Sequence, residues 1–159
     1  MSDTVIENRS ASGLSVLGRT AHLINSTYYG LDLLAPISFL LLRCWVAWQF
    51  FKSGLVKLQS FDSTLMLFEY EYAVPLLSPT MAAYLATAAE LVLPILLIVG
   101  LAGRISALGL FILNLVAYIS YADALLTDHL PWGLILLLFT LSGPGKLSID
   151  YLIGRFVSR

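Results

Sequence analysis

The sequence predicts an all-α integral membrane protein, a four-helix bundle with short interfacial helices. Three observations carry that reading. Of the 159 residues, 58% are apolar and only 12% charged, about half the charge of a soluble domain, and the mean hydropathy is +0.85. The apolar residues gather in four blocks, three of them close to the ~20 residues that cross a ~30 Å hydrocarbon core at the helical rise. Within the blocks apolarity is continuous rather than alternating, which excludes the strands of a membrane β-barrel.

Residues 1–34 read as a polar, irregular cytoplasmic extension, with no apolar h-region of a cleavable secretory signal. The first block runs from Ala35 to Lys57 and is interrupted by Arg43. The second, Thr80 to Leu101, carries Glu90 and Pro94; the proline kinks that helix and frees the Glu90 carbonyl. The third, Arg104 to Ala122, carries Asn114. The fourth starts at Pro131, a good first helical residue, and stops at Gly143-Pro144-Gly145. That is short of a full span, so it begins earlier, dipping Asp128 and His129 into the headgroups, or it sits in a thinned bilayer.

Two further segments are expected to lie on the membrane. Phe61 to Leu77 mixes acidic residues with Phe68, Tyr70 and Tyr72, which suit the headgroup level. In the tail, Ser148 or Asp150 caps a short helix that turns Leu152, Ile153 and Phe156 to the membrane and Arg155 and Arg159 toward anionic lipid. The domain division is therefore 1–34, a four-helix domain over 35–147, and a cytoplasmic amphipathic tail over 148–159.

Charge and cysteine content exclude much. Nine Lys+Arg against ten Asp+Glu give a net charge of −1, no basic field for nucleic acid. The single cysteine, Cys44, allows no intrachain disulfide, and in an apolar helix it reads as a small buried hydrophobe rather than a reactive thiol. His22 belongs to the inner side and His129 to the outer loop, where a solvated histidine is expected. No metal-ligand set, Gly-rich phosphate loop or nucleophile triad is visible. The chain has no ligands for a fixed redox centre, so any electron comes from a partner or a lipid-soluble carrier.

The candidate site residues are the polar ones inside the blocks, because an ionisable side chain at mid-bilayer costs about 2.5–3.5 kcal/mol and persists where it is paired or useful. Arg43 lies ~12 Å and Glu90 ~16 Å from the inner ends of their helices at the helical rise, which makes an Arg43–Glu90 ion pair geometrically available. A structural clamp and a binding or proton-accepting site both fit such a pair, the clamp being the commoner use. Arg43, Ala47, Phe50, Gly54 and Lys57 share one stripe of the first helix; Ala83, Ala86, Thr87, Glu90, Pro94 and Leu97 form a small-residue stripe on the second. Asn114, Ala117, Tyr118 and Tyr121 form a polar-aromatic stripe on the third, with Glu90 the expected partner of Asn114.

With these residues in view, the sequence resembles the DoxX family of small four-helix bacterial membrane proteins. The carrying features are Arg43, the G-x-x-K-L of Gly54 to Leu58, Glu90-Leu91, the Gly100 to Arg104 turn, and the closing Gly143-Pro144-Gly145-Lys146-Leu147-Ser148-Ile149-Asp150. The resemblance covers roughly residues 35–153. It implies a bacterial inner-membrane subunit of a redox-linked complex, of the thiosulfate:quinone oxidoreductase or quinol oxidase-associated kind, acting with protein partners. It marks Lys57, Arg104 and Asp150, with Arg43 and Glu90, as family-motif positions. On this reading the polar cluster of Arg43, Glu90, Asn114 and Tyr118 contacts a quinone, with no covalently bound cofactor and no metal. A non-catalytic anchor or assembly scaffold, and more weakly a small-solute transporter, are the competing functions; a homo-oligomer is compatible with any of them.

The positive-inside rule sets the orientation. With the N-terminus inside, Arg9, Arg19, Arg104, Lys146, Arg155 and Arg159 face the cytoplasm, against Lys52 and Lys57 outside. A reporter active only in the periplasm, fused to the C-terminus, should give no signal; a strong signal would overturn this topology.

Overall fold

The computed structural model describes the backbone of residues 3–72, 74, 76–120 and 126–157, and the side chains of residues 25, 28–72, 74, 76–120 and 129–157. All described regular structure is α-helical, in six elements: α1 (Asp3–Gln59), α2 (Phe61–Tyr70), α3 (Pro79–Val99), α4 (Gly103–Ser120), α5 (Leu126–Ser142) and α6 (Ile149–Val157). The chain divides into two compact units, Met1–Ile37 and Ser38–Arg159.

The first unit differs from the sequence expectation. Residues from Asp3 onward are helical rather than irregular, and the apolar stretch of α1 extends back to Tyr28, giving a candidate span of Tyr28–Gln59. Ser, Thr and Asn lower helix propensity by only tenths of a kcal/mol each, so polar composition alone does not break a helix. The side chains of Arg9, Arg19 and His22 lie outside the described residues.

In the second unit, α3 and α4 are long and apolar enough to cross a membrane. α5 begins at Leu126, so Pro131 stands inside the helix rather than at its first position. Of the two alternatives for the short fourth block, the earlier start is the one found, with His129 within α5. The Asp128 and Tyr121 side chains lie outside the described residues.

The core draws on four helices: Val46, Ala47 and Phe50 from α1, Leu97 from α3, Ala107 and Leu110 from α4, Leu136 and Phe139 from α5. The two stripes read from the sequence are the buried faces of α1 and α3: Arg43, Ala47, Phe50 and Gly54, and Ala83, Thr87, Glu90, Pro94 and Leu97, are all buried. Small residues set the spacing, as expected where helices associate without a hydrophobic drive. A Cβ on Gly54 would lie 3.0 Å from Leu91 and 3.1 Å from the Glu90 backbone. α2 packs through Phe68 onto Ala82 and Ala83 of α3. Outward faces remain apolar, for example Ile105, Ile112 and Ile119 along α4, as a lipid-facing surface requires.

α3 ends on Gly100 in the left-handed conformation (φ 73°), its N–H returning to Leu96 and Leu97. Ala102 is also left-handed (φ 49°), unusual for a residue with a side chain. The remote Asp150 carboxylate holds this turn, accepting from the Ala102 N–H (2.8 Å) and the Gly103 N–H (2.6 Å). It thereby supplies the anion that the N-terminus of α4 favours. Ser148 caps α6, accepting from the Tyr151 N–H at 3.2 Å.

The turn is close-packed on the closing loop. A Cβ on Gly103 would stand 2.6 Å from Pro144, and one on Gly100 would collide with Ser148. Gly103→Ala should therefore lower stability by about 1–3 kcal/mol through overpacking. Gly30→Ala, which meets nothing within 4 Å, should cost nothing and gain about 0.5–1 kcal/mol in helix propensity. Thermal unfolding in detergent compares the two; equal melting temperatures would contradict the packing.

Candidate functional site

The polar residues of the bundle divide between its two ends. At the end where α3 closes, Arg43 is 1% exposed. Its Nη1 donates to the Pro144 carbonyl and its Nη2 to the Leu147 carbonyl, both at 2.6 Å. Its Nε is buried without a partner among the described residues. Arg43 also lies level with Gly100, whose Cβ would stand 3.0 Å from Nη1.

The expected Arg43–Glu90 pair is therefore not present. The depth count took the first span to begin at Ala35, but α1 continues well before it, and Arg43 stands beside the end of α3 rather than beside its middle. Glu90 pairs instead with Lys57, Nζ to Oε2 at 2.7 Å, and Lys57 also donates to Ser53 Oγ at 2.8 Å. The signal was legible: Lys57 shares the stripe of Arg43, and Gly54, one turn earlier, packs on Glu90 and Leu91. Lys57 lies 14 residues beyond Arg43 in the sequence, about 21 Å along the helix at the helical rise. No arginine side chain covers that distance.

Asn114 does not bond to Glu90 either. Its Nδ2 donates to the His129 carbonyl at 2.8 Å, and its Oδ1 lies 2.9 Å from His129 Nδ1. A carbonyl only accepts, so the Asn114 amide orientation is fixed; Oδ1 then accepts, and neutral His129 carries its hydrogen on Nδ1. Gly133 makes room for this amide, its absent Cβ lying 3.0 Å from Asn114 Nδ2. His129, expected as a solvated loop residue, is part-buried in α5 and meets Trp132 edge to face at 5.3 Å.

A cavity of about 720 Å³ opens beside the Lys57–Glu90 pair. Its polar lining includes Ser53, Lys57, Glu90, Ser120 and His129, and its apolar walls include Phe50, Phe68, Leu113 and Trp132. This volume lies within the ~300–1,000 Å³ of small-molecule sites, and Gln49, Lys52, Ser60, Ser63, Thr64 and Tyr72 add to its polar lining. Of the predicted cluster, Glu90 lines it. Asn114 stands behind it, holding His129, while Arg43 and Tyr118 do not line it, and Tyr118 is exposed on α4. Sequence reasoning placed Lys57 on the Arg43 stripe and among the motif positions but not in the polar cluster, and left out Ser53 and Ser120.

The other motif positions have structural partners. Asp150 caps α4, and Arg104 runs alongside Gly143, whose Cβ would lie 3.3 Å from Arg104 Nε. Cys44 is part-buried in α1. Among the described residues no three His, Cys, Asp or Glu side chains gather into a metal-ligating group.

The family pattern of DoxX matches residues 38–123. The chain belongs to the DoxX family. Arg43, Lys57 and Glu90 all fall inside the matched region of this DoxX protein, and Asp150 follows it. An uncharacterized protein of Haemophilus influenzae is 36% identical over 128 residues, covering 75% of this chain and 85% of its own. No solved structure gives a significant match.

The contact geometry fixes a double-mutant outcome. Lys57→Met and Glu90→Gln should each lose about 1.5–3 kcal/mol, the range for hydrogen bonds to charged groups. The double variant should lose clearly less than the sum, because neither charge is left alone. Arg43→Met combined with Glu90→Gln should be additive. Coupling of Arg43 rather than Lys57 to Glu90 in thermal unfolding would contradict the pairing.

Proposed function

We propose that this DoxX protein is an inner-membrane subunit of a redox-linked complex, and that the Lys57–Glu90 cavity receives the head-group of a quinone. The observation that supports this most is the cavity itself: a chamber of mixed polar and apolar lining with an ion pair in its wall, within helices that a lipid-soluble carrier reaches from the membrane. The Lys57 ammonium is a donor suited to a quinone oxygen, and Trp132 and Phe50 offer ring faces and edges to a flat ligand. With both termini cytoplasmic, the cavity opens in the outer half of the membrane, near the α1–α2 junction. Electrons come from or go to an associated protein, and the exposed faces of the helices leave room for such a partner.

The scaffold reading has one observation of its own: at the opposite end, Arg43 and Asp150 bond to the backbone of the closing loop and of the turn before α4. It accounts for those residues and leaves the cavity without a role.

Protein purified in mild detergent from quinone-containing membranes should release quinone on organic extraction. Ala86→Phe, which fills the cavity from α3, should lower that quinone at least several-fold without changing the yield of folded protein. Absence of quinone from the extract, together with no uptake of an added short-chain quinone, would overturn the reading.

A further inference from the structure

Glu90 uses only one of its two carboxylate oxygens. Oε2 accepts from Lys57 Nζ, whereas Oε1 makes no hydrogen bond among the described residues. Oε1 is not sealed away, because it is absent from the fully occluded unpartnered atoms, and 12% of the side chain remains open on the cavity it lines. Ser120 also lines the cavity, but its Oγ is fully occluded and without a partner among the described residues. Serine can donate or accept, and the ammonium of Lys57 can donate to any ligand oxygen. Glu90 Oε1 differs from both. As the free oxygen of a carboxylate paired with an ammonium, it can only accept.

That asymmetry selects between the two forms of the proposed ligand. We infer that the cavity binds the dihydroxy form, a hydroquinone, in preference to the dione, with one ligand hydroxyl donating to Glu90 Oε1 while its oxygen accepts from Lys57 Nζ. A dione has acceptors only, so it sets oxygen lone pairs against a carboxylate and strips water from that carboxylate without replacing its hydrogen bonds. The hydroxyl instead forms an O–H···O⁻ bond, about twice as strong as one between neutral groups. No electron or proton moves in this step; it is a binding preference alone. The inference rests on the quinone reading of the cavity and narrows it to one oxidation state.

Equilibrium dialysis of the full detergent-purified chain tests it. A short-chain benzoquinone is compared with its hydroquinone under anaerobic conditions. The hydroquinone should bind roughly tenfold more tightly, the worth of one charge-assisted over one neutral hydrogen bond. In Glu90→Gln, whose amide donates as well as accepts, the ratio should fall toward one while the benzoquinone binds no worse. Equal affinities in the wild type, or tighter binding of the benzoquinone, would overturn the inference and leave the quinone reading standing. Binding of neither form would overturn both. The wild-type ratio is decisive by itself should Glu90→Gln fail to fold.

Discussion

The bundle depends on how one buried cation is satisfied. Arg43 sits on the inward face of α1 with 1% of its surface exposed, and an unpaired charge there would cost several kcal/mol. Among the described residues no carboxylate pairs with it directly. Its two terminal nitrogens bond to the Pro144 and Leu147 carbonyls, two acceptors that lie outside regular helix and would otherwise need partners. One guanidinium thus draws the loop after α5 against α1, beside the end of α3. Asp150, carried in by the same loop, reaches the first amides of α4. The loop can lie this close because Gly100 and Gly103 have no side chain to hold it off. Longer residues at those positions would remove the acceptors from Arg43 and the cap from α4 together.

This arrangement separates the polar residues by their partners. Arg43 and Asp150 are held at one end by backbone groups, so neither is available to meet a ligand without loosening the fold. Lys57 and Glu90, toward the other end, meet each other across a cavity wall. Motif positions that stand together in sequence comparison therefore have two different physical roles, and the contacts sort them where the residue types could not.

The helices were largely legible from composition, because continuous apolarity over about 20 residues has few other solutions in lipid. The buried stripes of α1 and α3 were legible too, since helical spacing and small residues predict which face another helix approaches. Pairing across the bundle was not. It depends on axial register, and register was counted from helix ends that composition marked poorly: α1 has no sharp start at Ala35, and α5 has none at Pro131. The first error displaced Arg43 toward Glu90; the second left His129 in a loop, out of reach of Asn114. Contacts to backbone carbonyls were illegible for another reason. A carbonyl is present at every residue, so no side-chain pattern announces that Pro144 and Leu147 are the acceptors.

Lys57 and Glu90 stand in unequal positions, and that inequality bears on why the pair exists. Lys57 is in the last turn of α1, where a cation suits the helix C-terminus and a long stem can snorkel to the headgroups. It has no need of a carboxylate. Glu90 is the twelfth of the 21 residues of α3, near the middle of the helix, and it is met inside the bundle. Lys57 turns inward to meet it. Close packing at this level is already secured by Gly54 on Leu91 and by the alanines under Phe68, which achieve it without the desolvation cost of two charges. A carboxylate placed only to clamp two helices would be expected to engage both oxygens. Here Lys57 uses one oxygen, and the other, beside the cavity that Glu90 lines, makes no hydrogen bond among the described residues.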